Sequence, residues 1–326
     1  MAKYKKGFFV EMNMQNPPKA PEVIWYVRKA TDDSVPELTV CGYEFTEDRR
    51  EDSIGKTEAP SMGYNFRRAF LPEEGHYWLS RDFSGQELRI MANISGEAAW
   101  IEAFKNGEDI HKATAIAIWG EENYTANKRK MAKAINFGIL YGSTAVGIAN
   151  SLSISEDEAE DIIQQFFEKL PSIKAFLNKS KIEARETKAT GNLYGRKRRM
   201  HNFINAWGNL SPSGQRRSFN HPIQSLGADI MKIALIKLYN NILTKEKYKG
   251  KIIFMNTIHD EVNLSVEKSI IEEATKLVGE VMEHRIKGKP IPIITGIEIG
   301  HNMGVTFKFN QDLETLELTP DIEPLD

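Results

Sequence analysis

The sequence has only one cysteine, Cys41, so no disulfide can form within the chain. This usage fits a reducing compartment such as the cytoplasm, either of a cell or of a viral host. No apolar run approaches the roughly 20 residues of a membrane-spanning helix. The apolar run near the start is too short for a signal peptide. The pattern excludes a disulfide-stapled secreted domain and predicts no association with a membrane.

The chain also lacks a strong excess of either charge. Its 43 Lys and Arg against 45 Asp and Glu give a formal net charge of −2. This balance does not by itself indicate a nucleic-acid partner, although a basic groove can coexist with acidic outer faces. The 326 residues are enough for one large domain or two ordinary ones with a real core.

The stretch RKMAKAINFGILYG predicts a helix, because it contains no proline and mostly good helix formers. Arg129, Lys133, Phe137 and Tyr141 recur every four residues and form one slowly drifting stripe on that helix. Two cations above an aromatic pair suit an anionic ligand that carries a flat ring, such as a nucleoside triphosphate. A basic amphipathic helix with its aromatic side chains in a core explains the same spacing equally well.

Acidic residues stand at the ends of predicted strands in two places. Asp82 ends the strand-like run HYWLSRD, and Ser84 with Glu87 forms a capping-box pattern for a helix that starts near Gly85. The run KIIFMNTIHDEVNLSV predicts a β-hairpin with its acids at the turn. The structural interpretation is a strand end before a capped helix for Asp82 and an exposed acidic turn for the hairpin. A metal-binding carboxylate held by a rigid sheet is the functional one.

Three of these segments resemble a known family when they are taken together. DFSGQELR, RKMAKAINFGILYG and IHDEV are similar to motifs A, B and C of family A DNA polymerases, the bacterial DNA polymerase I type, and they follow the family order. Gly85 and Gln86 depart from the Gln-Ile that is commoner in motif A. The resemblance extends from about residue 6 to residue 304. It implies an α+β fold, with a palm of antiparallel sheet and helices and a helical fingers domain, without thumb or exonuclease domains.

The resemblance also implies a metal site and a role for each residue in it. Two Mg²⁺ ions, for which Mn²⁺ can substitute, are expected at Asp82 and Asp260. The backbone carbonyl of Phe83 and, in a minor role, Glu261 are expected to contribute. Lys133 is implied as a catalytic residue that protonates the departing pyrophosphate.

The expected nucleotide site lies on motif B and its neighbours. The resemblance implies that His111, Arg129 and Lys133 bind the triphosphate. Phe137 is implied to stack on the incoming nucleotide and Tyr141 to guard the insertion site near the template. Glu87 is implied to exclude a ribose 2′-hydroxyl. Single-subunit RNA polymerases share a similar motif B, but they lack the equivalents of Glu87 and Phe137. The sugar is therefore expected to be deoxyribose, and a phenylalanine at position 137 implies poor use of dideoxynucleotides.

DNA contacts are expected in three segments. The motif-like NMQN supplies Asn13 and Gln15, although the family's upstream arginine is replaced here by Lys6. A polar stripe on a long helix and the histidine of motif C complete the set, which comprises Arg216, Asn220, Gln224 and His259. The basic run at 189–200 is either a solvated loop or a source of phosphate contacts.

The domain expectations follow from the same alignment of motifs. Residues 1–92 are predicted as the first part of the palm, with an inserted hairpin near 21–63. Residues 93–212 are predicted as fingers and 213–310 as the rest of the palm. The acidic tail, 311–326, is predicted to be disordered.

The implied activity is template-directed DNA synthesis from dNTPs on a primer–template. A phage-like split polymerase is expected, in which a separate subunit supplies the thumb, the exonuclease or both. A chain that works alone with low processivity, or a piece of a longer product, is the competing interpretation. A non-catalytic nucleic-acid-binding scaffold is the alternative from a different class. Whether the role is replication or repair stays open.

Overall fold

The computed structural model describes residues 21–62 and 66–325, so the predicted contacts of Asn13 and Gln15 lie outside the described residues. The strands, numbered along the chain, are β1 (Glu22–Lys29), β2 (Thr39–Val40), β3 (Tyr43–Thr46), β4 (Gly55–Pro60), β5 (His76–Phe83), β6 (Ala189–Gly191), β7 (Lys197–Arg199), β8 (Ile252–Ile258), β9 (Glu261–Glu267), β10 (His284–Arg285), β11 (Pro292–Ile293), β12 (Thr295–Asn302), β13 (Val305–Gln311) and β14 (Leu318–Pro320).

The helices are α1 (Gln86–Ser95), α2 (Ala98–Lys105), α3 (Ile110–Trp119), α4 (Ala126–Tyr141), α5 (Ala145–Leu152), α6 (Glu156–Lys169), α7 (Pro171–Thr187), α8 (Pro212–Leu238) and α9 (Ile271–Met282). Short 3₁₀ turns connect several of them, and a π-helical segment, Tyr239–Leu243, follows α8. Within the described ranges, no helix is both long and apolar enough to cross a bilayer.

The chain divides into two compact units. The first comprises the described residues up to 84 together with 233–283 and those from 294 onward. The second comprises 85–232 and 284–293. The predicted boundary at residue 93 is therefore displaced by eight residues, and much of the long helix α8 belongs to the helical unit rather than to the sheet-containing one.

The first unit is built on a six-stranded antiparallel sheet in the order β14-β13-β12-β5-β9-β8. The predicted hairpin of β8 and β9 is confirmed, and it pairs with β5 through β9. Helix α9 packs on β5, β9 and β12. This mixture of antiparallel sheet and helices confirms the predicted α+β class.

The segment predicted as an inserted hairpin is a four-stranded antiparallel sheet in the order β2-β3-β1-β4, so that prediction was wrong in extent. The run LTVCGYEF is broken by a turn in which Cys41 and Gly42 have φ of 50° and 78°. Two consecutive positive φ values are what a tight hairpin turn requires. The inner face carries Trp25 and Phe45, and both rings pack on Phe307 of β13.

The acidic tail is ordered, which corrects the expectation of disorder. Strand β14 pairs with β13, and Glu323 exchanges two backbone hydrogen bonds with Lys56 of β4. Leu318 is buried, and the side chain of Ile322 occupies the space where a Cβ on Gly55 would lie. Apolar residues at every second position therefore attach the tail to both sheets of this unit.

Side-chain caps fix several helix starts in the second unit. Helix α6 is capped by Ser155, whose hydroxyl accepts a hydrogen bond from the backbone N–H of Glu158. The predicted capping box at Ser84 was wrong. Helix α1 begins after Gly85, whose φ is 60°, and no side chain caps it. The Ser84 N–H donates instead to the carbonyl of Ile294, and Ser84 and Gly85 form the turn between β5 and α1.

Candidate active site residues

Strand pairing brings the acidic residues of the first unit together. Asp82 of β5 lies directly opposite Glu261 of β9, and the Phe83 N–H donates to the Asp260 carbonyl at 3.3 Å. His259 and Asp260 form the two-residue turn between β8 and β9, with His259 in the left-handed region at φ 56°. Like charges opposite each other on neighbouring strands destabilise a sheet. Such an arrangement therefore favours a bound cation.

A cavity of about 120 Å³ adjoins these carboxylates on the same face of the sheet. Asp82 and Glu261 line it together with Arg67, which is buried. The Ser80 hydroxyl donates to Glu261 at 2.7 Å and fixes that carboxylate. Burial lowers the pKa of Arg67, and the charge of Glu261 opposes that shift. Glu261 thus has partners inside the protein, and its minor metal role stays a prediction.

Asp260 has a different environment. Burial, with a smaller contribution from the negative charge of Glu261, raises the pKa of Asp260. Its ionised form is therefore held at a cost, which a nearby cation would offset. In the part of the chain that the structure describes, no group of three or more His, Cys, Asp or Glu is arranged to enclose a metal ion. Two carboxylates fit Mg²⁺ nevertheless, because Mg²⁺ is commonly held by one or two carboxylates, waters and phosphate oxygens.

In the second unit, the four-residue stripe lies on α4 as the sequence predicts. The Phe137 and Tyr141 rings stack with their centroids 6.2 Å apart, and the His111 ring lies 5.8 Å from Phe137. Lys133 is exposed on the same stripe. The helix ends at Gly142, whose φ of 73° and tight contact with the side chains of Arg216 and Phe219 leave no room for a Cβ.

Asp109, which the sequence analysis did not single out, organises the cationic end of the stripe. Its carboxylate caps α3 by accepting from the backbone N–H groups of His111 and Lys112. The same side chain accepts from Arg129, with Nε 2.8 Å from Oδ2. The sequence signal was present, since an aspartate just before a helix is a strong cap. Its partner twenty residues away was not predictable from local pattern.

His111 is kept neutral. Burial lowers its pKa to about 4; the positive charges of Lys133 and Arg129 act in the same direction, and Asp109 opposes them. The amide of Asn136 lies 3.0 Å from His111 Nδ1 and also donates to Thr114 at 3.1 Å. An amide donor at Nδ1 leaves the proton of a neutral imidazole on Nε2. His111 can therefore donate one hydrogen bond from Nε2 to an anionic ligand.

Glu87 and Tyr141 meet although they are 54 residues apart. The Tyr141 hydroxyl donates to the Glu87 carboxylate at 2.5 Å. Both residues were predicted from their motifs as part of one nucleotide site. The structure brings these two together, whereas their roles toward a sugar stay predictions.

The polar stripe of α8 lines a separate cavity of about 250 Å³. Arg216, Asn220 and Gln224 face it, and the Asn220 amide also donates to the Tyr141 carbonyl at 3.3 Å. Pro222 lies inside this helix and cannot donate to the carbonyl four residues earlier. The hydroxyl of Thr190 in β6 donates to that carbonyl, which belongs to Ser218, at 2.7 Å.

Comparison with known proteins gives the family. The model of DNA polymerase family A matches residues 54–305. DNA polymerase I of Streptococcus pneumoniae (strain ATCC BAA-255 / R6) is 39% identical over 237 residues, which is 72% of this chain and 27% of that protein. The thermostable DNA polymerase I of Thermus aquaticus is 33% identical over 241 residues, 73% of this chain and 28% of that protein.

Among solved structures, the POL domain of Pol1 from M. smegmatis, in complex with DNA primer-template and dNTP, matches with a TM-score of 0.65 and 30% identity. The match covers 73% of this chain and 42% of that one. The chain thus spans little more than a quarter of the length of the curated relatives it matches. Because this family model matches residues 54–305, more than half of the chain, the chain belongs to DNA polymerase family A.

Proposed function

We propose that this chain is the catalytic core of a template-directed DNA polymerase that adds dNTPs to a primer 3′-hydroxyl and releases pyrophosphate. The observation that carries the proposal is the pairing of Asp82 with Glu261 beside Asp260, an acidic cluster that favours a bound cation. Family membership supports it, as does the likeness to a polymerase domain that was solved with primer-template and dNTP.

Asp82 and Asp260 are proposed to hold two Mg²⁺ ions, or Mn²⁺ in their place, with help from the Phe83 carbonyl and, to a lesser degree, Glu261. Bound ions of this kind activate the attacking oxygen and stabilise the leaving group. The primer 3′-oxygen forms a bond to the α-phosphorus as the bond to pyrophosphate breaks. Lys133 is proposed to deliver a proton to the departing pyrophosphate. The proton that the primer 3′-hydroxyl loses passes to water, and Lys133 is reprotonated from water, so the step balances.

The second unit is proposed to bind the incoming nucleotide. Arg129 and Lys133 suit the β- and γ-phosphates as cations, and neutral His111 suits a phosphate oxygen as a donor. Phe137 offers a ring for stacking, and Tyr141 is proposed to guard the insertion site. Glu87 is proposed to occupy the space that a ribose 2′-hydroxyl needs, so that dNTPs are preferred over rNTPs.

The DNA contacts are proposed for the polar stripe of Arg216, Asn220 and Gln224 and for His259, with Asn13 and Gln15 outside the described residues. We also propose a separate polypeptide that supplies thumb or exonuclease functions. The four-stranded sheet at 22–60 supports this proposal, because most of it precedes the family match and gives a partner a surface to dock on. The single cysteine supports a reducing compartment, the cytoplasm of a cell or a viral host.

Primer extension with the purified chain, Mg²⁺ and dNTPs tests the activity, with Asp260→Asn as the matched variant. We expect extension that requires Asp260 and rejects rNTPs, and Glu87→Ala is expected to admit rNTPs. Phe137→Tyr is expected to improve the use of dideoxynucleotides. Gel filtration of the native protein tests the partner, because a strictly monomeric native protein argues against it.

A non-catalytic scaffold is the competing function. It predicts primer–template binding that the Asp260→Asn substitution leaves unchanged, together with no extension and no dNTP binding by the wild type. Extension seen only at low salt, with few additions per binding event, supports a catalytic core that depends on a partner to hold the duplex.

A further inference from the structure

One long segment of the second unit carries charge of a single sign. The 42 residues from Thr187 to Ala228 contain seven Lys and Arg and no Asp or Glu, in a chain whose net charge is −2. Arg196 is paired with Asp229, just beyond the segment, through its Nε at 2.9 Å. The remaining cations leave this part of the unit with a positive field that attracts polyanions.

A tight hairpin between Ile204 and Leu210 presents a tryptophan from this segment. The two ends are joined by a β-bridge, and the Asn205 N–H donates to the Asn209 carbonyl at 2.9 Å. The Asn205 side chain accepts from the N–H groups of Trp207 and Asn209 at 3.0 and 2.9 Å. The tip is thus held by its own hydrogen bonds and does not depend on the indole.

The Trp207 side chain is 86% exposed, more than any other large hydrophobic side chain in the described residues. By contrast, Trp25, Trp78 and Trp100 are almost fully buried. An indole presents a flat aromatic face, and exposed aromatic faces of this kind can stack on the bases of an unpaired nucleic-acid strand. Trp207 is therefore a candidate contact because it is exposed beside the basic side chains described next.

Phe203 connects the hairpin to the basic side chains. Its carbonyl accepts from the Ser211 N–H at 2.8 Å and closes the hairpin base. Its ring lies 4.9 Å from the Arg217 guanidinium and 6.0 Å from that of Arg198. Trp207 lies four residues after Phe203, and four residues span at most about 13 Å. One bound strand can therefore reach both the indole and these cations.

Both arginines line the 250 Å³ cavity together with Arg216 and His221. In the described part of the chain, Asn220 Oδ1 and His221 Nε2 are buried without a hydrogen-bond partner. The three guanidinium groups of this cavity suit phosphate oxygens, whereas Asn220 Oδ1 can only accept a hydrogen bond and so suits a donor on the ligand. The adjoining indole suits the face of a base.

We propose that Trp207 and these basic side chains form a binding surface for an unpaired DNA strand, in which the indole stacks on a base and the arginines bind phosphates. Alternating cations and an exposed aromatic ring are the features of sequence-tolerant single-strand binding. In a primer–template the unpaired strand is the template. The identity of the strand, though not the binding, therefore rests on the proposed function.

The first test measures binding of a fluorescent oligothymidylate to the full chain over a range of salt concentrations. Loss of one stacking residue is expected to weaken binding about five- to hundredfold, so Trp207→Ala should fall in that range. Trp207→Phe keeps a ring and should retain most of the affinity. Tyr239→Ala, which removes an aromatic side chain that is 60% exposed outside this segment, serves as the matched control and should bind like wild type.

Salt dependence separates stacking from charge. Trp207→Ala should leave the slope of affinity against salt unchanged, because no phosphate contact is lost. Arg198→Gln should reduce that slope by about 0.7, the value for one phosphate contact on a single strand. Thermal unfolding should be unaffected by Trp207→Ala, since the hairpin is held through its backbone and Asn205.

The inference is wrong if Trp207→Ala binds the oligonucleotide as tightly as wild type and the Tyr239→Ala control; the indole would then be left as a contact for a protein. If Trp207→Ala binds like wild type and the wild type still extends a primer, the proposed function stands although the inference about Trp207 fails. Trp207-dependent binding in a chain that cannot extend a primer supports the inference and contradicts the polymerase proposal. In an active enzyme, Trp207→Ala should weaken binding to a primer–template with a long template overhang and not to one with a blunt end.

Discussion

The two candidate sites gather charge of opposite sign, and they treat that charge differently. In the first unit, Asp82, Asp260 and Glu261 lie together, and burial with a neighbouring negative charge raises the pKa of Asp260. In the second unit, burial together with the positive charges of Lys133 and Arg129 lowers the pKa of His111. Burial is the larger cause of both pKa shifts, and a neighbouring like charge adds to it, so a ligand of the opposite sign would offset that added cost in each site.

The difference lies in the counter-charge that each unit provides. Arg129 is held by the carboxylate of Asp109, which also caps a helix. Glu261 is held by the neutral hydroxyl of Ser80, and Asp260 has burial as the main influence on its pKa. The basic site thus carries the carboxylate of Asp109 as a counter-charge. In the acidic site the buried Arg67 lines the cavity with Asp82 and Glu261, and Asp260 is the carboxylate whose ionised form a bound cation would favour.

The largest effect is expected from Asp260→Asn, which removes the charge of one carboxylate in the acidic site. We expect extension to fall at least about a hundredfold, the scale for losing a central electrostatic group. Because the pKa of Asp260 is raised in the fold, its ionised form costs stability at neutral pH, and the amide should remove that cost. Primer extension and thermal unfolding measure the two effects. A marked loss of stability would mean that the carboxylate is structural.

The counter-charge in the basic site is tested by Asp109→Asn. Asparagine is as good a helix cap as aspartate, so α3 should keep its stability while Arg129 loses its ion pair. We expect the KM for dNTP to rise about three- to tenfold, because Arg129 is no longer held in place. Asp109→Ala removes the cap as well and should cost about 1 kcal/mol of stability. An unchanged KM in both variants would separate Arg129 from nucleotide binding.

A smaller effect is expected from Tyr141→Phe. The substitution removes the hydroxyl that donates to Glu87 and keeps the ring that stacks on Phe137. Because this hydrogen bond is partly exposed, we expect only a twofold to tenfold rise in rNTP incorporation, on the order of 0.5–1.5 kcal/mol. Competition between dNTP and rNTP in single-turnover assays measures it. Equal selectivity in the two proteins would show that Glu87 needs no support from Tyr141.

The last prediction concerns stability in acid rather than activity. His111 has a folded pKa of about 4 and an unfolded value near 6.5, so the unfolded state takes up the proton first as pH falls. The stability due to neutral His111 is complete above pH 6.5 and is lost as pH falls toward 4. His111→Gln should reduce the fall in the free energy of unfolding between pH 6.5 and 4 by about 1–2 kcal/mol. Urea titrations at several pH values can detect this change. If the free energy of unfolding falls equally with pH in the wild type and in His111→Gln, other groups cause the acid sensitivity.

Sequence reasoning succeeded where a regular period or strand pattern fixed the geometry. The four-residue spacing located α4, and the alternating runs around His259 located the hairpin of β8 and β9. It failed at Ser84, where the capping-box pattern is present but Gly85 is the residue that precedes the helix and no side chain caps it. In the tail, the number of acidic residues concealed an alternation of apolar residues, Leu318, Pro320 and Ile322, that attaches it to the sheets.

Contacts between distant segments could not have been predicted from local pattern. Arg67 lies fifteen residues before Asp82 and shares its cavity only because of how the first unit packs. Asp109 meets Arg129, and Glu87 meets Tyr141, through the packing of helices in the second unit. In each case the residue type fits a local structural role, such as a helix cap, that gives no sign of the distant partner.

The pairing of β14 with β13 has a practical consequence for handling the protein. Strand β13 is seven residues long, and β14 covers part of its outer edge near Phe309 and Gln311. A version shortened after residue 311 would leave that edge open, and an unpaired edge strand is a template for pairing with another chain. Truncation at this point should therefore promote aggregation during expression, and an affinity tag is better placed beyond a spacer than directly on the final residues.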